Sequence, residues 1–489
     1  MSDTSLDPAD WDAFRALVHR AVDDAVDFLA TIRERPAWQP VPTAVKGALR
    51  EPLPRAGEPL EETYARFREL IMPYATGNLH PRFFGWVHGG GTPAGALAEF
   101  LAGVMNANVG GREHAAVYVE RAVVGWFAEL FGFGPSASGI LTTGTSMGNL
   151  LAVCAARDRA LGADARLRGV DGAPLVAYAA RGAHSSIAKA IRIAGLGGSS
   201  LRAIDVDDRF AIDVDALRAQ IAADRTAGLR PFLVVATAGT VDTGAFDPLA
   251  TLADLCEREG LWLHVDGAFG ALAITSPRHA HLVAGIDRAD SLAFDAHKWL
   301  QAPYAVGCVL FRDEAAHRGA FAESPDYLTP ADRGTAAGAP WYAEYGLELS
   351  RDFRALRLWL TLHHYGIDSF GRAIAAGCNL AAELGRRVDA SPDLELLAPV
   401  FLNVVCFRVR PAGLDEQALD RLNAAVAVAV QESGAAVPST TRLGGRLALR
   451  ACFINHRTRL DDLDVLMAAV RSAAAETSRR HDPRGKRVR

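Results

Sequence analysis

Cysteine is scarce in this chain and methionine scarcer, with six Cys and five Met in 489 residues. The cysteines are scattered at 154, 256, 308, 378, 406 and 452, no CxxC pair occurs, and most lie in apolar runs. There a thiol behaves as a small hydrophobe. This pattern argues against a disulfide framework or zinc site and fits a reducing compartment. Also missing is any run near the roughly 20 apolar residues that span a bilayer. The start, Met1-Ser2-Asp3-Thr4-Ser5, has no apolar signal segment. A soluble, cytoplasmic protein is expected. Excess positive charge is lacking too, since 52 Lys and Arg stand against 57 Asp and Glu, a net charge of −5. The one basic run, 484–489, reads as a solvated tail, so neither nucleic acid nor membrane is expected as a partner. No GxGxxG or Walker loop occurs. His279-Ala280-His281 and His363-His364 lack a third ligand at sensible spacing, and no metal is expected.

What the chain has is apolar bulk, 50% hydrophobic residues, enough for more than one domain. Residues 9–34 read as a helix capped by Asp10, with Phe14, Leu17, Val18, Ala21, Val22, Ala25 and Leu29 on one stripe. A Pro- and Gly-rich connector covers 36–59, and a second helix covers about 58–72. From about 90 to 370 apolar strands alternate with helices. The strands are 175–179, 232–236, 261–265, 291–294 and 306–311; the helices are 146–160, 185–195, 213–224 and 248–259. This alternation predicts an α/β fold with a mostly parallel central sheet covered by helices. After a long helix at 350–364, helices at 372–388, 415–431 and 460–477 alternate with short strands at 404–410 and 447–453. The division that follows is an N-terminal helical arm over 1–88, a large domain over 89–369 and a small C-terminal α+β domain over 370–489. The aperiodic stretch 320–347 reads as a mobile catalytic loop.

Chemistry concentrates at the ends of these elements. The apolar run 261–265 ends in Asp266, and Lys298 follows the strand 291–294 by four residues. A buried carboxylate needs a cationic or hydrogen-bonding partner. A protonated pyridine nitrogen is one, and a partly desolvated lysine can form an imine with an aldehyde. Together they read as a pyridoxal phosphate site. Gly267 and Ala268 leave room for a flat ring. The stretch 144–149, Gly-Thr-Ser-Met-Gly-Asn, opens a helix and offers backbone N–H groups to a phosphate. His184 opens another helix, where an imidazole can lie over an aromatic cofactor. Thr237, Thr240 and Thr243 follow a strand on the same expected face. His264 reads as a core histidine.

In this context the chain resembles the group II pyridoxal-phosphate-dependent amino-acid decarboxylases, and is similar to the aromatic-L-amino-acid decarboxylases. The resemblance rests on His184-Ser185-Ser186, the 236–240 run Ala-Thr-Ala-Gly-Thr, the 264–269 run His-Val-Asp-Gly-Ala-Phe, the 295–299 run Asp-Ala-His-Lys-Trp and the 80–84 run His-Pro-Arg-Phe-Phe. It implies a fold-type-I enzyme and a homodimer with shared active sites, built on the N-terminal arm. It implies that Lys298 carries the internal aldimine, Asp266 pairs with the pyridinium, and His184 stacks on the ring. Thr145, Ser146 and His297 would hold the phosphate, Ala268 would lie under the ring, and Thr240 near it. His80, Trp86 and Val87 fall on the substrate side. Tyr327, in the aperiodic stretch, is implied to protonate the substrate Cα. Relatives with phenylalanine there tend to be oxygen-consuming aldehyde synthases. Two departures stand out. Asp295 replaces the Asn often found there, and its backbone rather than its carboxylate is expected near the phosphate. Asn106, Asn108 and Gly110 make a pocket wall more polar than in relatives. The expected reaction is decarboxylation of an L-amino acid, aromatic by resemblance, to the amine and CO2. The alternatives are an aromatic aldehyde synthase, an acidic amino-acid decarboxylase, a sphingosine-phosphate-type lyase, an aminotransferase using Arg446 or Arg450, and a vestigial cofactor-fold binding module.

Overall fold

The structure, a computed structural model, describes residues 5–162, 164–323 and 329–480. Twelve strands form two sheets among these residues. Five lie in the alternating region as expected, with ends moved by a residue or two: β3 (Leu175–Ala180), β5 (Arg230–Thr237), β6 (Trp262–Asp266), β7 (Ser291–Asp295) and β8 (Gly307–Phe311). With β2 (Ser138–Thr142) and β4 (Leu201–Ile204) they make a seven-stranded sheet in the order β2-β8-β7-β6-β5-β3-β4. The run from β7 to β4 is parallel, and β8 is antiparallel to both its neighbours. Strands β2, β3, β6, β7 and β8 are buried along their whole length. A sheet covered on both faces demands this, and it explains why these strands read as unbroken apolar runs. The architecture is the fold-type-I arrangement.

The register decides where the chemistry falls. Thr237 pairs with Asp266, and Asp266 with Ala293, so the polar ends of β5, β6 and β7 lie on one sheet edge. The helix Thr145–Leu161 follows β2 and brings its N-terminus to that edge. Gly148 allows the approach: a Cβ there would lie 2.9 Å from Ala293 Cβ and 3.3 Å from Val309 Cβ.

The second sheet has the order β1-β11-β12-β10-β9, from β1 (Phe83–Phe84), β9 (Leu394–Leu396), β10 (Val404–Val409), β11 (Val437–Leu443) and β12 (Arg446–Cys452). Phe83 and Phe84 belong to the segment expected to be arm, yet they pair with Val437 and Pro438 as an edge strand. The physical reason is burial: Phe84 packs 5.1 Å from the Phe453 ring in the small core. The arm helices are Trp11–Ala30 and Leu60–Leu70, and neither buries a residue. Asp10 caps the first through the Asp12 and Ala13 N–H groups. The connector contains a short helix, Thr43–Ala48, and helices Pro93–Met105 and Ala115–Leu130 lie where no element was assigned from the sequence. No helix among the described residues is long and apolar enough to cross a membrane.

Candidate active site

A cleft of about 480 Å3 opens at the C-terminal ends of the parallel strands. Its lining includes Lys298, Asp266, His184, Thr145, Ser146, Ala268, His297, Trp86 and Val87, nine of the residues expected from the sequence. Two others lie elsewhere. His80 is buried beneath the cleft wall, where its Nδ1 accepts from the Arg82 N–H at 3.0 Å. It serves the turn that leads into β1 rather than facing the cleft. The Thr240 hydroxyl is turned into its own loop, 2.9 Å from Thr243 Oγ1, and accepts from Ala245 N–H at 3.1 Å. Its neighbours Gly239 and Val241 line the cleft instead. Tyr327 lies outside the described residues. Arg446 pairs with Glu395 on the surface, away from any cleft group.

At the floor, Asp266 is buried. Its Oδ2 accepts from Asn149 Nδ2 at 2.9 Å and its Oδ1 from Ala268 N–H at 3.2 Å. Burial pushes this carboxyl up, while the Asn149 bond and the charges of Lys298 and His184 pull it back. Such a group needs a further positive partner. At the rim, Lys298 Nζ lies 2.8 Å from Asp295 Oδ2, and Asp295 Oδ1 accepts from Thr145 N–H at 2.6 Å. The Asp295 side chain itself therefore meets the helix N-terminus, where a backbone role was expected. Burial raises this carboxyl, and Lys298 and His297 outweigh it, leaving it below the usual range. His297 Nε2 sits 3.7 Å from Asp295 Oδ2, and burial lowers the imidazole.

The donor set fits pyridoxal phosphate. The hydroxyls of Thr145 and Thr237 are buried and have no hydrogen-bond partner within the protein, and both residues face the cleft. Buried polar atoms without partners are rare and point to a ligand. Thr145 sits at a helix N-terminus, which favours an anion. Asp266 supplies the negative charge a ring nitrogen needs, and Lys298 the amine an aldehyde needs.

The aromatic wall was only partly legible. His88 stacks 5.7 Å from Trp86 and lies 6.0 Å from Tyr304, whose ring is 4.3 Å from His297. Burial lowers the His88 imidazole, with the charges of Lys298 and His297 adding to it. His88 and Tyr304 were not picked out from the sequence, and Asn149 and Ser186 were read only as members of the 144–149 and 184–186 runs, without roles of their own. The available signal was a polar residue one turn into the helix after Ser146, namely Asn149.

Trp86 takes a left-handed backbone, φ 48°, which bulky residues rarely adopt. Two side chains of the small sheet hold it. Its N–H donates to Ser439 Oγ at 3.2 Å, and Arg450 Nη1 donates to its carbonyl at 2.9 Å.

Residues 42–410 match the family described as the pyridoxal-dependent decarboxylase conserved domain. An aromatic-L-amino-acid decarboxylase of Bacillus atrophaeus is 34% identical over 470 residues, 95% of this chain and 96% of that one. A phenylacetaldehyde synthase of Petunia hybrida is 30% identical, covering 96% and 95% of the two chains. Among solved structures, Oryza sativa TDC with PLP and tryptamine superposes with a TM-score of 0.88 at 27% identity, covering 97% of this chain and 100% of that one.

Proposed function

The chain belongs to the pyridoxal-dependent decarboxylase family and is a carboxy-lyase dependent on that cofactor, and from this premise we propose that its substrate is an aromatic L-amino acid, released as the amine and CO2. The observation that carries the substrate class is the wall of Trp86, His88 and Tyr304 in the cleft that Lys298 also lines. Flat rings stack well on such a wall.

Their placement in one cleft supports the following roles. Thr145, Ser146 and His297 would hold the phosphate, and Lys298 would provide the covalent link. Asp266 would pair with the ring nitrogen, and His184 and Ala268 would flank the ring. The bound cofactor supplies an electron sink for the bond broken at Cα. Asp266, itself buried, would keep that sink charged, so that the charge is stabilised in place. Trp86 and Val87 orient the side chain so that the carboxylate is the group that leaves. Tyr327 returns the proton to Cα, which directs the product to the amine.

We further propose the division into an arm (1–88), a large domain (89–369) and a small domain (370–489), a cytoplasmic location, and a homodimer. Supporting the dimer, the helix Pro93–Met105 exposes Leu97 (53%), Phe100 (50%), Val104 (70%) and Met105 (54%) on one chain. A patch of this kind marks an interface.

The test is a spectrum of the purified protein with pyridoxal phosphate, followed by aromatic and acidic amino acids while CO2, amine and O2 are tracked. A visible band lost in Lys298→Ala, with amine formed only from aromatic substrates and O2 unconsumed, is the expected result. Aldehyde with O2 consumption, or preference for Glu or Asp, overturns the substrate and product assignment. Absence of any band overturns the cofactor roles.

A further inference from the structure

Behind the cleft floor runs a chain of buried polar groups that the reaction itself does not use. Trp262 Nε1 donates to Ser291 Oγ at 2.8 Å, and Ser291 Oγ lies 2.9 Å from His264 Nδ1. His264 Nε2 lies 2.9 Å from Asn149 Oδ1. The Asn149 amide then reaches Asp266 Oδ2 at 2.9 Å and Ser186 Oγ at 3.0 Å, and Ser186 Oγ lies 2.8 Å from His184 Nδ1. Asn149, His264 and Ser291 are fully buried.

The hydrogens along this chain have one consistent order. An indole N–H is donor-only, and a carboxylate is acceptor-only. At one end, Ser291 accepts from Trp262 and has its single hydrogen left for His264 Nδ1. At the other, Asp266 requires the Asn149 NH2 group, which turns Oδ1 toward His264. His264 must therefore carry its hydrogen on Nε2, and the Ser291 hydroxyl completes this order by donating to Nδ1. Burial holds this imidazole neutral, at about 3. The second Asn149 hydrogen goes to Ser186, and His184 Nδ1 accepts from the Ser186 N–H at 3.3 Å, so the Ser186 hydroxyl also donates to that nitrogen. In neutral His184 the ring hydrogen is then on Nε2.

We propose that Asn149 is the positioning residue for both Asp266 and His184, and that Trp262, Ser291 and His264 set its orientation. The order matches Asp266 as a carboxylate, the acceptor to which the Asn149 NH2 group donates. This rests on the cofactor reading given above.

The experiment has two arms. In the cofactor-free protein labelled with 15N-histidine, two-bond 15N–1H spectra report each ring tautomer. His264, assigned by its loss in His264→Gln, is expected as the Nε2–H form from pH 6 to 9. In the second arm, cofactor-free wild type and Asn149→Asp are titrated with pyridoxal phosphate by fluorescence quenching, and the spectrum of the loaded protein is recorded. The isosteric Asn149→Asp places a second carboxylate against Asp266. Affinity should fall at least about tenfold and the ratio of the two cofactor bands should change, as for loss of a hydrogen bond to a charged group. A merely structural role would shift the melting temperature and leave the band ratio alone. The Nδ1–H tautomer in wild type, or unchanged affinity and bands in Asn149→Asp, overturns this inference alone. Wild type that binds no pyridoxal phosphate overturns the cofactor reading, whatever tautomer His264 shows.

Discussion

The amine of Lys298 lies 2.8 Å from the carboxylate of Asp295, whose other oxygen takes the Thr145 N–H at 2.6 Å. One side chain thus engages the two groups that the cofactor must engage, the imine-forming lysine and the anion-binding helix end. Pyridoxal phosphate has to displace both contacts. Asp295→Asn should therefore tighten cofactor binding by about tenfold, since it removes a charge-assisted bond and a like-charge repulsion. Fluorescence titration of the cofactor-free protein measures this. Weaker binding in the variant would mean that the carboxylate helps hold the cofactor instead.

The Trp86 clamp predicts a split between kinetic constants. Arg450 is buried and holds the Trp86 carbonyl, yet it makes no contact with Lys298 or Asp266. Arg450→Met frees Trp86 from its left-handed backbone, and the indole leaves the wall. KM for an aromatic substrate should rise about tenfold while the cofactor spectrum is unchanged and kcat moves less. Equal losses in kcat and kcat/KM would place Arg450 in the chemical step.

How much of this was visible in the sequence follows from where polarity interrupts apolar runs. Asp266 and Lys298 were legible because each ends or follows a buried strand, and Asp10 because a cap precedes a helical stripe. Strand β4 at the parallel edge is only four residues long and half exposed, so no apolar run marked it. β1 is two residues long and pairs only because Val437 comes back to it across more than three hundred residues. His80 and Trp86 belong to one local segment, but only the turn at His80 decides which of them faces the cleft. The helices Pro93–Met105 and Ala115–Leu130 flank a Gly- and Asn-rich stretch that masked their periodicity. His264 read as a core histidine and is one by burial; that its two nitrogens link Ser291 to Asn149 could come only from tertiary packing.

Acid should weaken the fold above the range where most carboxylates titrate. Burial lowers His264 and His317 to about 3 and His80 to about 4, and it raises Asp247 to about 6. An unfolded histidine takes a proton near 6.5, so below that pH the unfolded chain binds protons that the folded chain refuses. Each such histidine removes stability as pH falls. Asp247 acts oppositely, because its folded form keeps a proton that the unfolded form gives up above about 4. Three histidines less one aspartate leave about two protons net, or about 3 kcal/mol per pH unit between about pH 6 and 4. Urea midpoints at pH 7, 6 and 5 should fall steeply and in that order. A flat series would mean that these imidazoles are solvated and charge freely.

Two helical glycines should respond to alanine with opposite sign. Alanine is the better helix former by about 1 kcal/mol, so the substitution stabilises wherever its Cβ meets nothing. Gly125, exposed in Ala115–Leu130, has no atom within 4 Å of that Cβ, and Gly125→Ala should raise the melting temperature. At Gly148 the same methyl would stand 2.9 Å from Ala293 Cβ on β7. Neither partner is a flexible side chain, so the helix Thr145–Leu161 must move off the sheet. Overpacking of this kind costs about 1–3 kcal/mol, more than the helical gain. The displacement carries Thr145 away from Asp295 and Asn149 away from Asp266. Gly148→Ala should therefore lower the melting temperature and weaken pyridoxal phosphate binding together, whereas Gly125→Ala leaves binding untouched. Lowered stability with unchanged cofactor affinity in Gly148→Ala would show that the helix end holds its place independently of its packing on β7.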